Sequence, residues 1–182
     1  MEVSFTPVDV RGFERDQFIA FMSGSRFPFH VVSAPTIDDV SGAIDSGRYD
    51  GPDHAAFWIN EHTLGRIGVA VLDDLADSTP LFDLRLAEQV RGRGYGTHVL
   101  RGLTALVFET NPGAHRFEGQ TREDNIAMRK TFLRAGFVKE AHYREGWPVS
   151  GATPVASAAY AILRRDWESG ETTEFEWEDL QP

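Results

Sequence analysis

The sequence predicts an α/β (α+β) fold, a twisted and mostly antiparallel mixed sheet of about seven strands flanked by helices. Two observations support this. Apolar runs at residues 54–59, 64–72 and 81–86 are separated by polar turns, the pattern of an antiparallel meander. Farther along, stretches with helical spacing alternate with strand-like ones, which sets helices against a sheet. The 182 residues suit one domain with a sizeable core, assigned to residues 1–168 and followed by an acidic tail over 169–182.

Taken in order, residues 4–10 read as a first strand, with Pro7 marking an edge or a bulge. Residues 14–22 read as a short helix whose buried stripe is Phe18, Ile19 and Phe21 or Met22. Phe27, Pro28, Phe29 and His30 form an aromatic loop, for which core packing outweighs a pocket-lining role. A second short helix spans about 36–44. Asn60, Glu61, His62 and Thr63 make a hairpin turn between the second and third strands, and residues 73–80 a polar turn before the fourth. A longer helix then carries Val99, Leu100, Leu103, Leu106 and Val107 on one face and stops before Asn111, Pro112 and Gly113. Residues 116–122 alternate as a strand, with Glu118, Gln120 and Arg122 on one face and Phe117, Gly119 and Thr121 on the other. A helix over about 125–135 ends at Gly136, and Phe137 starts another strand. Residues 155–163 form the last strand, entered through a loop over 146–154.

Residues 84–96 hold the most informative stretch, with Gly92, Gly94 and Gly96 in alternation after Arg91 and Arg93. Glycines let the backbone turn tightly and approach a ligand with no Cβ in the way. The following helix has first-turn N–H groups without intrahelical partners, and with the helix dipole these attract an anion. The two arginines add positive charge, so phosphate is the natural guest. A dinucleotide loop would need a glycine where Thr97 stands, and a P-loop would need Lys followed by Ser or Thr after its last glycine. Neither is present. By itself, an Arg/Gly turn before a helix also serves as a plain helix entry.

What remains, R-x-x-G-x-G from Arg91 to Gly96, resembles the acyl-CoA signature of the GNAT superfamily of N-acyltransferases. A second stretch, N-I-A-M-R-K-T-F-L-R-A-G-F over residues 125–137, resembles that superfamily's N-x-x-A/S-x-x-x-[Y/L]-x-x-x-G-F helix and follows at the usual interval. The segments G-F-V-K-E from Gly136, R-E-G-W-P from Arg144 and Y-A-I-L-R-R-D-W from Tyr160 look like the RimJ/RimL-like branch, whose members include acetyltransferases of protein N-terminal amines. The match covers about residues 54–168, while the first third is recognisable mainly by position, as the two short helices that wall the acceptor side.

The resemblance implies a GNAT-like acyltransferase domain with acetyl-CoA as co-substrate, no metal, and a cofactor strand splayed from its neighbour. Leu84 and Leu86 would pair through their backbones with pantetheine, which is itself peptide-like. The N–H of Leu86 or Ala87 would face the thioester oxygen. Arg91 and the run Gly92, Arg93, Gly94, Tyr95, Gly96 and Thr97 would hold the pyrophosphate. Asn125 would reach the pantetheine arm, Phe132 would pack near the sulfur and Arg129 would meet the 3′-phosphate. Each of the last three also has a plain structural reading: helix cap, core residue and solvated charge respectively.

Amine attack on a thioester needs a base for the ammonium and an acid for the departing thiolate. Many GNAT enzymes carry a tyrosine acid where this chain has Phe132, so that acid is missing; a thiol with pKa near ~8.5 is a fair leaving group without one. Tyr160 is the candidate substitute acid if it crosses the cleft, with a core role as its competing reading, and Glu118 is the candidate base, with Asp83 and Glu88 as alternatives and a stabilising salt bridge as the competing role of all three carboxylates. An α-amine, pKa near ~8, is roughly a tenth neutral at pH 7, whereas a lysine amine is only about 0.04% neutral. A weakly equipped site therefore leans towards protein N-terminal or other low-pKa amines.

Composition narrows the partners. There is no cysteine, so a cysteinyl acyl-enzyme and thiolate metal sites are excluded, and transfer is direct or passes through another nucleophile. The formal charge of −10 disfavours nucleic acid and favours a cationic amine acceptor, small molecule or protein N-terminus. Seven carboxylates and no Lys or Arg lie in residues 166–182, so the excess sits largely in the tail. No apolar run approaches the ~20 residues of a membrane span and no signal peptide is evident, so a cytoplasmic protein without a membrane partner is expected. None of the six histidines has metal-ligand spacing, and all read as surface or core residues. Such folds commonly form homodimers; Trp147, Trp167 and Trp177 are interface candidates, with ordinary packing as the competing role. The rival to an enzyme is a non-catalytic acyl-CoA-binding sensor or partner module built on the same cradle.

Overall fold

The computed structural model describes residues 2–174. Its elements run β1 (Val3–Pro7), α1 (Arg15–Ser23), α2 (Ile37–Asp45), β2 (Ala55–Glu61), β3 (Gly65–Asp73), β4 (Leu81–Leu86), α3 (Tyr95–Thr110), β5 (Arg116–Arg122), α4 (Ile126–Arg134), β6 (Val138–Val149), β7 (Ala152–Leu163) and α5 (Arg164–Ser169). They build one seven-stranded sheet in the order β1-β2-β3-β4-β5-β7-β6. Every neighbouring pair is antiparallel except β4 and β5.

Helices cover both faces, and β3 shows why its sequence is almost continuously apolar. Val69 and Val71 point into a cluster with Trp58, Phe18, Met22, Val40 and Ile44, whereas Ala70 and Leu72 point into a second cluster with Leu100, Leu103, Phe117 and Phe132. Thr36 starts α2 through a capping box with Asp39, satisfying two amides at once. α3 buries Val99, Leu100, Leu103 and Val107 as its spacing predicts, while Phe108 is buried and the expected Leu106 only half-buried. Its C-terminal end is held from a distance, since the Arg164 guanidinium donates to the carbonyls of Phe108, Asn111 and Ala114 at 2.7 Å each.

Two expectations change. Residues 146–154 are not an entry loop: β6 continues to Val149 and β7 begins at Ala152, in a hairpin turning at Ser150 and Gly151. Pro148 is tolerated because β6 is the edge of the sheet, where a missing N–H breaks no ladder on the outer side. The pairing slips between Tyr143 and Trp147, with Glu145 at φ 54°, and this bulge re-aims Trp147. The short helix α5 also went unforeseen, its six residues offering too little periodicity to read. Of the acidic tail, residues 175–182 and with them Trp177 lie outside the described residues.

Gly119 on β5 allows the central aromatic packing. A Cβ there would lie 2.6 Å from the Phe82 ring and 2.8 Å from that of Phe132. Gly119→Ala is expected to cost about 2 kcal/mol by overpacking, visible as a lower urea midpoint at unchanged slope. An unaltered midpoint would show that the aromatic cluster yields freely.

Candidate acyl-CoA and acceptor site

The site begins where β4 and β5 part. Only Leu81 and Glu118 register across them, with Glu118 N–H donating to the Pro80 carbonyl at 3.1 Å, and beyond that point the strands diverge. On its other edge β4 is fully paired with β3 from Leu81 to Leu86. Ala87 N–H donates to the Ile67 carbonyl at 2.8 Å, so ladder alternation turns the backbone groups of Leu84 and Leu86 towards the gap. The Leu86 carbonyl is met there by Arg91 Nε at 2.9 Å. Of the two amides expected to face a thioester oxygen, Ala87's is therefore occupied, and Leu86's is the one on the open edge.

At one end of the gap lies the glycine turn. Gly92 and Gly94 take φ of 73° and 87°, a region that L side chains with branched Cβ atoms avoid, and Gly94 caps α3 with no side-chain hydrogen bond. A Cβ on Gly92 would meet nothing within 4 Å, so the turn borders open space, while one on Gly96 would come 3.2 Å from Thr131 Oγ1, which lets α3 and α4 approach closely. The amides of the first turn of this sixteen-residue helix have no intrahelical partners and fit a pyrophosphate. Arg91 is turned inward rather than towards this turn, lying over the Phe27 ring at 5.2 Å.

Between the parted strands is a cavity of about 370 Å³. β4 lines it with Phe82, Asp83, Leu84 and Arg85, β5 with Gln120 and Thr121, and α4 with Met128, next to Asn125. Phe29, His30, Val31 and Val32 from the loop after α1 close one side, with Arg48 after α2 and Trp147 of β6 completing the wall. Phe27 takes the core role expected of this loop, but Phe29 and His30 do not. His30 Nε2 lies 2.8 Å from Asp83 Oδ1, and Arg85 donates to Asp83 Oδ2 through Nε and Nη2 at 3.2 and 2.9 Å. Burial pushes the Asp83 carboxyl up, but Arg85 and His30 together outweigh it and hold the group well below the ordinary carboxylate range. The sequence offered no signal for this network, because His30 and Asp83 are far apart in the chain and match no motif.

The other named residues are tied into the scaffold. Asn125 caps α4, accepting from Met128 N–H at 3.2 Å and donating to Thr121 Oγ1 at 3.0 Å. Arg129 donates to Tyr160 Oη at 3.1 Å and to the Glu123 carbonyl at 2.8 Å. Phe132 is fully buried, and Tyr160 stacks on it with ring centroids 4.7 Å apart. Glu118 receives Arg116 at 2.5 Å and Gln120 at 3.1 Å, and like Tyr160 it does not line the cavity. Glu88 lies beside Arg26 and Arg91 in a separate hollow. Trp167 packs on Phe108 at 5.4 Å, the ordinary role weighed for it.

A seven-stranded mixed sheet whose only parallel neighbours part over a glycine-turned helix is the GNAT architecture. A profile of the acetyltransferase (GNAT) domain matches residues 11–138, and the chain belongs to this family of acetyl-CoA-dependent N-acetyltransferases. No curated protein matches. Among solved structures, a chimera of the Vibrio cholerae spermidine N-acetyltransferase SpeG with hSSAT superposes with TM-score 0.75 at 13% identity, covering 92% of this chain and 99% of that one. The V. cholerae spermidine N-acetyltransferase in complex with CoA and spermine gives TM-score 0.72 at 15% identity, covering 91% and 98%. No helix among the described residues is long and apolar enough to cross a membrane.

Proposed function

We propose that this acetyltransferase acts on an α-amine of the protein N-terminal kind, in keeping with the RimJ/RimL-like segments, and that the acceptor enters the cavity between β4 and β5. The observation behind the choice is the charge of the lining: Asp83 is its one carboxylate and is already engaged by His30 and Arg85. A polyamine brings further ammonium groups, each needing an acidic partner on desolvation. The solved relatives act on polyamines, but at 13–15% identity they share the fold alone. Apolar side chains at Phe29, Val31, Val32, Phe82 and Trp147 suit a residue side chain beside the amine.

In this reading Leu84 and Leu86 pair with the pantetheine arm, Leu86 N–H faces the developing oxyanion, and the turn from Gly92 to Thr97 with α3 holds the pyrophosphate. Asn125, Arg129 and Phe132 shape the wall along the arm, and Tyr160 is a proton donor only if Arg129 releases its hydroxyl.

The test is thiol release from acetyl-CoA with an α-amine peptide, an α-blocked lysine peptide and spermidine. The protein has no cysteine to contribute background. The α-amine peptide is expected to exceed spermidine about 100-fold or more in kcat/KM, on the order of the roughly 250-fold ratio between the neutral fractions of an α-amine and an alkyl amine of the lysine kind. Preference for spermidine would overturn the acceptor assignment, and tight CoA binding without turnover would favour the non-catalytic module.

A further inference from the structure

We propose that the acceptor carries an apolar side chain beside its amine, and that Phe29, Val31, Val32 and Trp147 receive it. The proposal rests on the α-amine reading above and narrows it to peptides of one first-residue class.

The charged and amide side chains that line the cavity are already engaged within the protein. His30 and Arg85 share Asp83, at 2.8 and 2.9 Å, and Arg48 is paired with Asp73. Asn125 donates to Thr121 Oγ1 at 3.0 Å, and Gln120 donates to Glu118 at 3.1 Å. A charged side chain on the acceptor would give up its water for a wall whose every charge has a counterion of its own. An apolar one needs no such partner.

What the wall leaves uncovered is apolar. Val31 and Val32 are 42% and 47% exposed, and of the large hydrophobic side chains exposed among the described residues they are the two that line this cavity. Phe29, Phe82 and Trp147 stand half-buried in the same lining. An apolar occupant would take this surface out of water, which is the interaction such a wall can offer.

The loop that carries the two valines is anchored on both strands of the gap. Phe27 N–H donates to the Ser33 carbonyl at 2.7 Å, closing the loop at its base, and the Phe27 ring is buried. His30 ties the loop to β4 through Asp83. From β5, Arg122 donates to the Pro28 carbonyl at 3.4 Å and lies 5.6 Å from the Phe29 ring centroid, while Asp124 accepts from its Nη2 at 2.7 Å. A wall held in this way need not be ordered by its ligand, so it can discriminate by fit. On β6, the bulge at Glu145 turns Trp147 to the same cavity.

The experiment compares peptides identical except for Leu, Gly, Asp or Lys at the first residue, with spermidine beside them. Their α-amines ionise nearly alike, at pKa ~8, so differences in kcat/KM report the side chain. Leu is expected to exceed Gly about 30-fold and Asp or Lys about 100-fold. Val32→Asp places a carboxylate at an exposed position of the wall, and it should lower the Leu-over-Lys ratio about 30-fold while CoA affinity, read by calorimetry, stays within about 2-fold. Equal rates for the four peptides, or a preference for Asp or Lys, would overturn this inference and leave the α-amine reading in place. An unaltered Leu-over-Lys ratio in Val32→Asp would overturn the assignment of the side chain to this wall. Turnover of spermidine and of none of the peptides would overturn the α-amine reading, and this inference with it.

Discussion

Gly94→Val is expected to weaken CoA binding about 100-fold, equivalent to about 2.7 kcal/mol. Gly94 caps α3 at φ 87°, where a β-branched residue is strained by contact of Cβ with the backbone. Relief of that strain tilts the first turn of α3, and the amides of residues 95–97 lose their common aim at a phosphate. Hydrogen bonds to a charged group are worth about 1.5–3 kcal/mol each, so misaligning two of them accounts for the loss. Gly94→Asn separates conformation from bulk, since Asn tolerates the left-handed region, and it should lose less than about 5-fold. Titration calorimetry with CoA reads both. Equal affinity for the valine and asparagine variants would mean that the turn's conformation does not govern the cradle.

The second large effect falls on stability at Asp83. Asp83→Ala removes the anion from between His30 and Arg85 and leaves a guanidinium that is only 12% exposed without its counterion. Stranding a buried charge costs about 3 kcal/mol, which for a chain of this size is a fall in Tm of roughly 6–12 °C. Its pH dependence has a definite sign. The folded state holds the Asp83 carboxyl below its unfolded value, so the contribution is fully present above the unfolded pKa near ~3.9 and is lost as pH falls through the folded value. Below about pH 5 the gap in Tm between wild type and variant should therefore narrow as the pH falls. A gap that widened in acid would mean that Asp83 is protonated in the folded protein.

Both variants also bear on function. Gly94 lies at the cofactor end of the gap, and Asp83 at the proposed acceptor end. A protein that keeps CoA affinity but loses turnover at Asp83, and shows the reverse at Gly94, would have its two substrates divided along β4 as proposed.

What the sequence by itself determined was local in character. The helices and most strands were legible because periodicity is a property of neighbouring residues: α3 shows its apolar stripe, β4 and β5 their alternation, and Gly92, Gly94 and Gly96 their backbone freedom. The glycine turn and the helix it opens were legible for the same reason, since they are contiguous in the chain. The tertiary structure alone decided which groups share the cavity. His30 follows α1, Asp83 and Arg85 lie on β4, and Trp147 follows a bulge in an edge strand; nothing in their sequence spacing relates them. Glu118 and Tyr160 looked eligible by residue type and strand position, yet Arg116 and Arg129 hold them. Acid–base chemistry depends on contacts between distant segments and on what each contact leaves unpaired, and these exist only once the sheet has closed around them.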